Sequence, residues 1–272
     1  MRFVVFYFSG TGNTKWAAEQ FCQLAQKEGH ETAAFSIEKN ACPNDELLIQ
    51  LITDAEAVGF ATPIYGANLP PIVESFIEHT VKLTQGLIQN EKRVFFINTV
   101  GYVNAFGPIR AGKLLNNGFF RLVGYVNIRM SNNISTPKLK SNIEGIETLS
   151  KRKEQAVKTL GILVCHMGKY KRYITGIGPY LLPGIVIGRK TKGAIEKHYL
   201  SLGVDSGFCT HCMLCVQNCP TQSITYDDNS FQFQPTCTVC MRCYNFCPKA
   251  AITIDGKYAD PNEYKRYHGP GK

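Results

Sequence analysis

What the 272-residue chain lacks narrows its class. It has one tryptophan, and no stretch approaches the roughly 18 apolar residues of a membrane-spanning helix, so no span is expected. The N-terminal apolar run breaks at Ser9-Gly10 with no small-residue cleavage site behind it, so no secretory leader is expected. The G-x-x-x-x-G-K-[ST] spacing of a triphosphate-binding loop is absent. No acid, base or nucleophile constellation stands out. Charged residues make up only 19% against 44% hydrophobic, the balance of a soluble globular protein. With nothing directing the chain to an oxidising compartment, its cysteines are not expected to form disulfides, and the cytoplasm is the expected location.

What it has in excess is cysteine, concentrated in one place. Eight of the eleven lie between Cys209 and Cys247, in two copies of C-x2-C-x2-C-x3-C-P separated by a spacer of sixteen residues. Zinc would take C-x2-C pairs as four-thiolate sites, but the third and fourth cysteine of each run would then be spare. The doubled run resembles the bacterial ferredoxins with two 4Fe–4S clusters, and S-I-T-Y after the first run and A-I-T-I after the second extend the likeness. That resemblance implies crossed ligation. Three closely spaced thiolates wrap one face of a cubane, and the Cys-Pro pair turns away before reaching the fourth iron. Cys209, Cys212 and Cys215 are then completed by Cys247, and Cys237, Cys240 and Cys243 by Cys219. His211 in the first loop is a candidate donor toward a cluster sulfur.

The formal charge is +9, counted with neutral thiols. Eight thiolates on two clusters would bring the loaded chain to about +5. Residues 138–197 hold thirteen Lys and Arg against four Glu, so this segment carries the whole excess. It is read as a solvated helix face plus linker, or as a basic collar (Lys169, Lys171, Arg172, Arg189, Lys190, Lys192) that docks an acidic ferredoxin or flavodoxin. An anionic membrane face is the weaker alternative, and no nucleic-acid partner is expected.

Ahead of the cysteines, strand and helix patterns alternate. Phe3–Phe8 read as a strand buried on both faces, with others near 31–37, 56–61, 93–98 and 119–129. Helices are expected after the glycine loop, at 45–52, from Pro71 to about 88, at 108–116, and through the stripe Ile146, Leu149, Ala156, Leu160, Leu163 and Met167. The fold class is therefore α/β, a five-stranded doubly wound parallel sheet over residues 1–168. A basic linker follows over 169–203, then a small α+β ferredoxin-like unit over 204–256, and a polar tail over 257–272. Trp16 reads as core, and Cys22, Cys42 and Cys165 as small hydrophobes. His79, His166 and His198 have no ligand-like neighbours.

Ligands of an open parallel sheet bind at the carboxyl ends of the strands. Three loops reach that edge. Ser9-Gly10-Thr11-Gly12-Asn13-Thr14 offers backbone N–H groups, hydroxyls and a helix N-terminus, a cup suited to a phosphate. Lys15 occupies the position where a dinucleotide fingerprint needs its third glycine. Thr62 to Pro70 and Asn98 to Gly107 are the other two. In this order they resemble the FMN-binding loops of flavodoxins. The resemblance implies contacts from Pro63, Ile64, Tyr65 and Gly66 and from Thr99, Val100, Gly101, Tyr102 and Asn104. Tyr65 and Tyr102 are the aromatics able to stack on the ring. Unlike flavodoxins, these loops contain no acidic residue.

The whole chain resembles the flavodoxin–ferredoxin fusion family of anaerobic microbes. That implies an intracellular iron–sulfur flavoprotein passing electrons between FMN and two 4Fe–4S clusters and onward to a redox partner. The alternatives are a flavin-dependent reductase of a small substrate, with Asn104 or Arg110 as substrate contacts, and a redox sensor.

Overall fold

The computed structural model describes residues 1–88, 90–102, 104, 106–115, 119–176 and 202–271. Strands β1 (Arg2–Tyr7), β2 (Glu31–Ser36), β3 (Ala57–Pro63), β4 (Lys92–Val100) and β5 (Phe120–Arg129) alternate with α1 (Asn13–Lys27), α2 (Asp45–Asp54), α3 (Pro71–Leu83), α4 (Gly107–Leu114) and α5 (Ile146–Gly168). The pairings are all parallel, in the order β2-β1-β3-β4-β5, the doubly wound order of flavodoxin type. The expected five strands become six, because β6 (Tyr173–Ile174) pairs beyond β5 with Gly124 and Tyr125. Two residues carry too little pattern to announce a strand.

The continuous apolar runs are the central strands. All of β3 is buried, as is β4 from Val94 onward, because helices cover both faces. On one face Phe3, Val5, Phe95 and Ile97 pack against α1 and α5 through Phe21, Leu160 and Leu163. On the other, Val4, Phe6, Phe60 and Phe96 meet α2, α3 and α4 through Leu48, Phe76 and Ala111. The Asn44 side chain caps α2 by accepting from the Leu47 amide at 2.9 Å, and Pro71 opens α3 at its first turn.

Some local expectations need correcting. α3 ends at Leu83, short of residue 88. Ile146 heads α5 but is 83% exposed, while the rest of its stripe is buried. Cys165 is exposed, unlike buried Cys22. Trp16 is only partly buried, with the Lys153 ammonium 5.6 Å from its ring centre.

The linker and collar expectations fall largely on residues 177–201, including Arg189, Lys190, Lys192 and His198, which lie outside the described residues. The second unit begins with β7 (Leu202–Val204), which pairs antiparallel with β10 (Ile252–Ile254). Between them lie α6 (Leu214–Gln217), the hairpin β8 (Ile224–Asp227) and β9 (Ser230–Phe233), and α7 (Arg242–Phe246). The tail over 257–271 folds back across both units: Ala259 and Tyr267 are buried, and the Tyr267 hydroxyl donates to Asn13 Oδ1. Among the described residues no helix is long and apolar enough to cross a membrane.

Candidate functional site

The three loops meet at the carboxyl edge of the sheet around a cavity of about 300 Å³. Of the expected flavin contacts, all but Gly12 and Asn104 line it. Gly12 is instead the residue before α1, at φ 106°, a left-handed conformation that glycine adopts without strain. No side chain caps α1 there, so among the described residues no side chain at Gly12 takes up the first-turn N–H groups. The Ser9 hydroxyl accepts from the Gly12 amide at 3.2 Å, and Thr14 and Thr99 join hydroxyls at 2.6 Å. No lining residue is charged. An anion in this cavity is therefore met by neutral groups: backbone N–H groups, a helix terminus, and the hydroxyl and amide side chains of the lining.

The two tyrosines sit differently. Tyr102, 63% exposed, forms the mouth. Tyr65 is buried, with its ring edge-on to Phe8 and its hydroxyl among Gly10, Asn133, Cys240 and Arg242. Burial pushes its hydroxyl far above the usual phenol range, and nearby Cys240 adds to the rise, so it stays a neutral phenol. Asn104 lies outside the cavity. Its amide donates to Tyr125 Oη at 2.9 Å and Asn127 Oδ1 at 2.8 Å. Arg110 donates to Asn68 Oδ1 and sits 5.4 Å over the Phe106 ring, so neither expected substrate contact faces the cavity.

The cavity has a fourth wall that sequence reasoning missed: Met130, Ser131, Asn132, Asn133, Ile134 and Leu139, in the loop after β5. Its only signal was position, since it too leaves a strand at the carboxyl edge. This loop also carries the second unit. The Tyr244 hydroxyl donates to the Ser135 carbonyl at 2.7 Å, and Asn245 Nδ2 donates to the Asn133 carbonyl at 2.9 Å.

Cys209, Cys212, Cys215 and Cys247 line one cavity, with Phe231 and Ile252 among its walls. Cys219 lies within electrostatic reach of Cys237, Cys240 and Cys243. Burial raises the Cys215 thiol to about 11 and the Cys240 thiol to about 12, a cost that binding iron as thiolate would have to offset. Backbone amides already aim at sulfur: Ser223 N–H at Cys219 (3.2 Å), Ala251 N–H at Cys247 (3.3 Å) and His211 N–H at Cys209 (3.4 Å). It is thus the backbone of His211 that points at sulfur, while its ring stacks on Phe231. The buried Thr238 hydroxyl, beside Cys237, has no protein partner, as a donor awaiting an inorganic sulfide would. Among the described residues no three His, Cys, Asp or Glu converge on a single-ion position. Thiolates spread over the corners of an iron–sulfur cube need no such convergence. The residues present fit both groups.

The two sites share a wall. Arg242, between Cys240 and Cys243, donates to the Ser9 carbonyl at 2.7 Å and the Gly10 carbonyl at 2.9 Å in the phosphate-type loop. Asn133 Nδ2 bridges Thr11 Oγ1 and the Cys240 carbonyl, each at 3.2 Å. A Cβ on Gly10 would press on the Tyr65 hydroxyl and come 2.7 Å from the Cys240 carbonyl oxygen, so only glycine allows this approach.

Strand order and cysteine runs together define the architecture: a flavodoxin-type sheet unit fused to a ferredoxin-type iron–sulfur unit. Residues 202–225, which include the first run, match the family described as 4Fe-4S binding domain. No curated protein matches the chain. Among solved structures, a flavodoxin from the domain Archaea is 15% identical, covering 71% of this chain and 99% of its own, with a TM-score of 0.41. Rubredoxin oxygen:oxidoreductase from Desulfovibrio gigas is 16% identical over 62% of this chain and 36% of that one, with a TM-score of 0.44. Oxidised flavodoxin 1 from Bacillus cereus is 14% identical over 61% of this chain and 99% of that one, with a TM-score of 0.41. Similarities this distant transfer no residue role; the strand order stands without them.

Proposed function

We propose that the chain is an intracellular electron-transfer protein that holds FMN in the sheet-edge cavity and two 4Fe–4S clusters in the cysteine unit. The observation that carries this reading is the shared wall, with the Cys240 backbone against Gly10 of the flavin cavity. When bound, a flavin exchanges electrons singly or in pairs and a cluster exchanges them one at a time, so the combination converts one currency into the other. The protein supplies distance, burial and electrostatics. Ser9, Gly10, Thr11, Asn13 and Thr14 cradle the phosphate, with Gly12 shaping the turn into α1, Thr99–Gly101 and Pro63–Gly66 flank the ring, and Tyr102 covers the mouth.

Ligation is crossed in this reading, Cys247 completing the set of Cys209, Cys212 and Cys215, and Cys219 that of Cys237, Cys240 and Cys243. The cavity membership and the electrostatic neighbours given above support that pairing. The cation-free cradle suits one phosphate, hence FMN over FAD. The redox partner proposed is acidic and docks at Lys169, Lys171 and Arg172, which are exposed.

Anaerobic purification with iron, sulfide and flavin assays tests the reading. About eight irons, about eight sulfides and one FMN per chain are expected. Stoichiometric zinc with little iron, or loaded protein that takes up no FMN, overturns it.

A further inference from the structure

Arg242 belongs to the cysteine unit by sequence, yet most of its bonds lead elsewhere. Its side chain is 17% exposed, and all five N–H donors of its guanidinium are engaged. Nε reaches the Gly10 carbonyl at 2.9 Å. Nη1 reaches Glu38 Oε2 at 2.8 Å and the Asn218 carbonyl, next to Cys219, at 3.0 Å. Nη2 reaches the Ser9 carbonyl at 2.7 Å and Glu38 Oε1 at 2.6 Å. A half-buried charge is tolerated here because the Glu38 carboxylate meets it in a two-pronged pair.

The consequence lies on the other side of the loop. A trans peptide points its C=O and the following N–H in opposite directions. By holding the carbonyls of Ser9 and Gly10, Arg242 turns the N–H groups of Gly10 and Thr11 away from itself. The Gly10 amide then meets the Tyr65 hydroxyl. Among the described residues no partner takes the Thr11 amide, on a residue that lines the cavity, and the Thr11 hydroxyl is fixed by Asn133, which also grips the Cys240 carbonyl.

We propose that Arg242 is a positioning residue for the flavin phosphate cradle, so that filling the second cluster site and binding FMN are reciprocally coupled. This rests on the reading that the cavity holds FMN. The backbone of Arg242 is pinned from both sides by Cys240 and Cys243, so cluster loading sets its place, and its place sets the loop. Linkage requires the converse: FMN holding the loop steadies the arginine and the two cysteines beside it.

The test uses the full chain, purified anaerobically, as wild type, R242Q, R242K and E38Q. Two quantities are measured: FMN affinity by flavin fluorescence, and the rate of iron release to a chelator with and without saturating FMN. In wild type, FMN is expected to slow iron release. In R242Q the FMN dissociation constant should rise by about tenfold, and FMN should no longer protect the iron. R242K should resemble R242Q, because an ammonium cannot hold two carbonyls and a carboxylate at once. An arginine that merely glues the units together would speed iron release in R242Q by the same factor with and without FMN, and that result overturns the proposal. So does R242Q with wild-type affinity and wild-type protection. If R242Q retains no iron, E38Q decides, with weakened FMN binding and lost protection expected, and unchanged values overturning the proposal. Wild type that binds no FMN fails differently, since it overturns the flavin reading itself.

Discussion

The two cysteine runs share spacing and backbone but not surroundings. His211 and Met213 in the first run, and Val239 and Met241 in the second, occupy left-handed conformations at φ 54°, 59°, 51° and 60°. In each run an amide four residues past the last cysteine aims at its sulfur. The residues between the cysteines differ. His211, Leu214, Gln217 and Asn218 are exposed in the first run, whereas Val239, Tyr244 and Asn245 are buried in the second and Arg242 is clamped to the sheet unit. Cys212 is exposed and Cys240 is buried. One local fold thus faces outward in the first run and inward in the second, and the intervening residues decide which; under the proposed function the first is a terminal and the second a relay.

The largest break in that comparison is expected from the cysteines themselves. C212A and C240A should each cost one cluster, about half of the iron. Only C240A should also weaken FMN binding, because only its backbone is shared with the flavin wall. Equal flavin loss in both variants, read by iron assay and flavin titration, would show the runs to be equivalent. Next come the packing residues at matched positions. Tyr244 is fully buried, bonds the Ser135 carbonyl and stacks under the Arg266 guanidinium at 3.7 Å, so Tyr244→Ala should cost about 3–5 kcal/mol in denaturant unfolding. Val216→Ala, at the matching place in the outward run, should cost less than about 1 kcal/mol. Smaller again is Gly10→Ala. Its Cβ wedges between the Tyr65 hydroxyl and the Cys240 carbonyl, an overpacking worth about 1–3 kcal/mol. It should leave the Cys209, Cys212, Cys215 and Cys247 site untouched, and a spectroscopic change there would mean that the wedge acts elsewhere.

How much of this was legible in the sequence follows from where the information sits. Apolar runs and a glycine loop announce a parallel sheet and its ligand edge, because burial on both faces leaves a continuous signature. Cysteine spacing announces the clusters, because thiolate geometry tolerates little variation. The asymmetry between the runs was written in the same letters, Leu214 against Arg242 and Val216 against Tyr244. It acquires meaning only when the loop after β5 is known to meet them. That loop, Ser131 to Ser135, is short, polar and aperiodic, so no pattern marks it. The tail reads as polar because its buried groups, Ala259 and Tyr267, stand singly among charged residues.

The smallest effect is expected where the units touch at the surface. Lys138 pairs with Asp255 at 3.0 Å and Lys140 with Glu263 at 2.9 Å, and their side chains are 56%, 43%, 64% and 53% exposed. Both pairs join the basic segment to the iron–sulfur unit and its tail, and by charge counting alone they would seem to hold the halves together. Exposed pairs contribute little, since water and salt screen them and two long side chains must be ordered. The Arg242–Glu38 pair differs in kind: it is at most 23% exposed, two-pronged, and tied to backbone on both sides. The double variant K138Q/K140Q should therefore shift the melting temperature by less than about 2 °C and leave FMN affinity unchanged, and raising salt on wild type should do the same. A larger drop, or flavin loss in the double variant, would move the hold between the units from the inward run to the outer rim. The contrast between the inward and outward runs would then rest on burial alone.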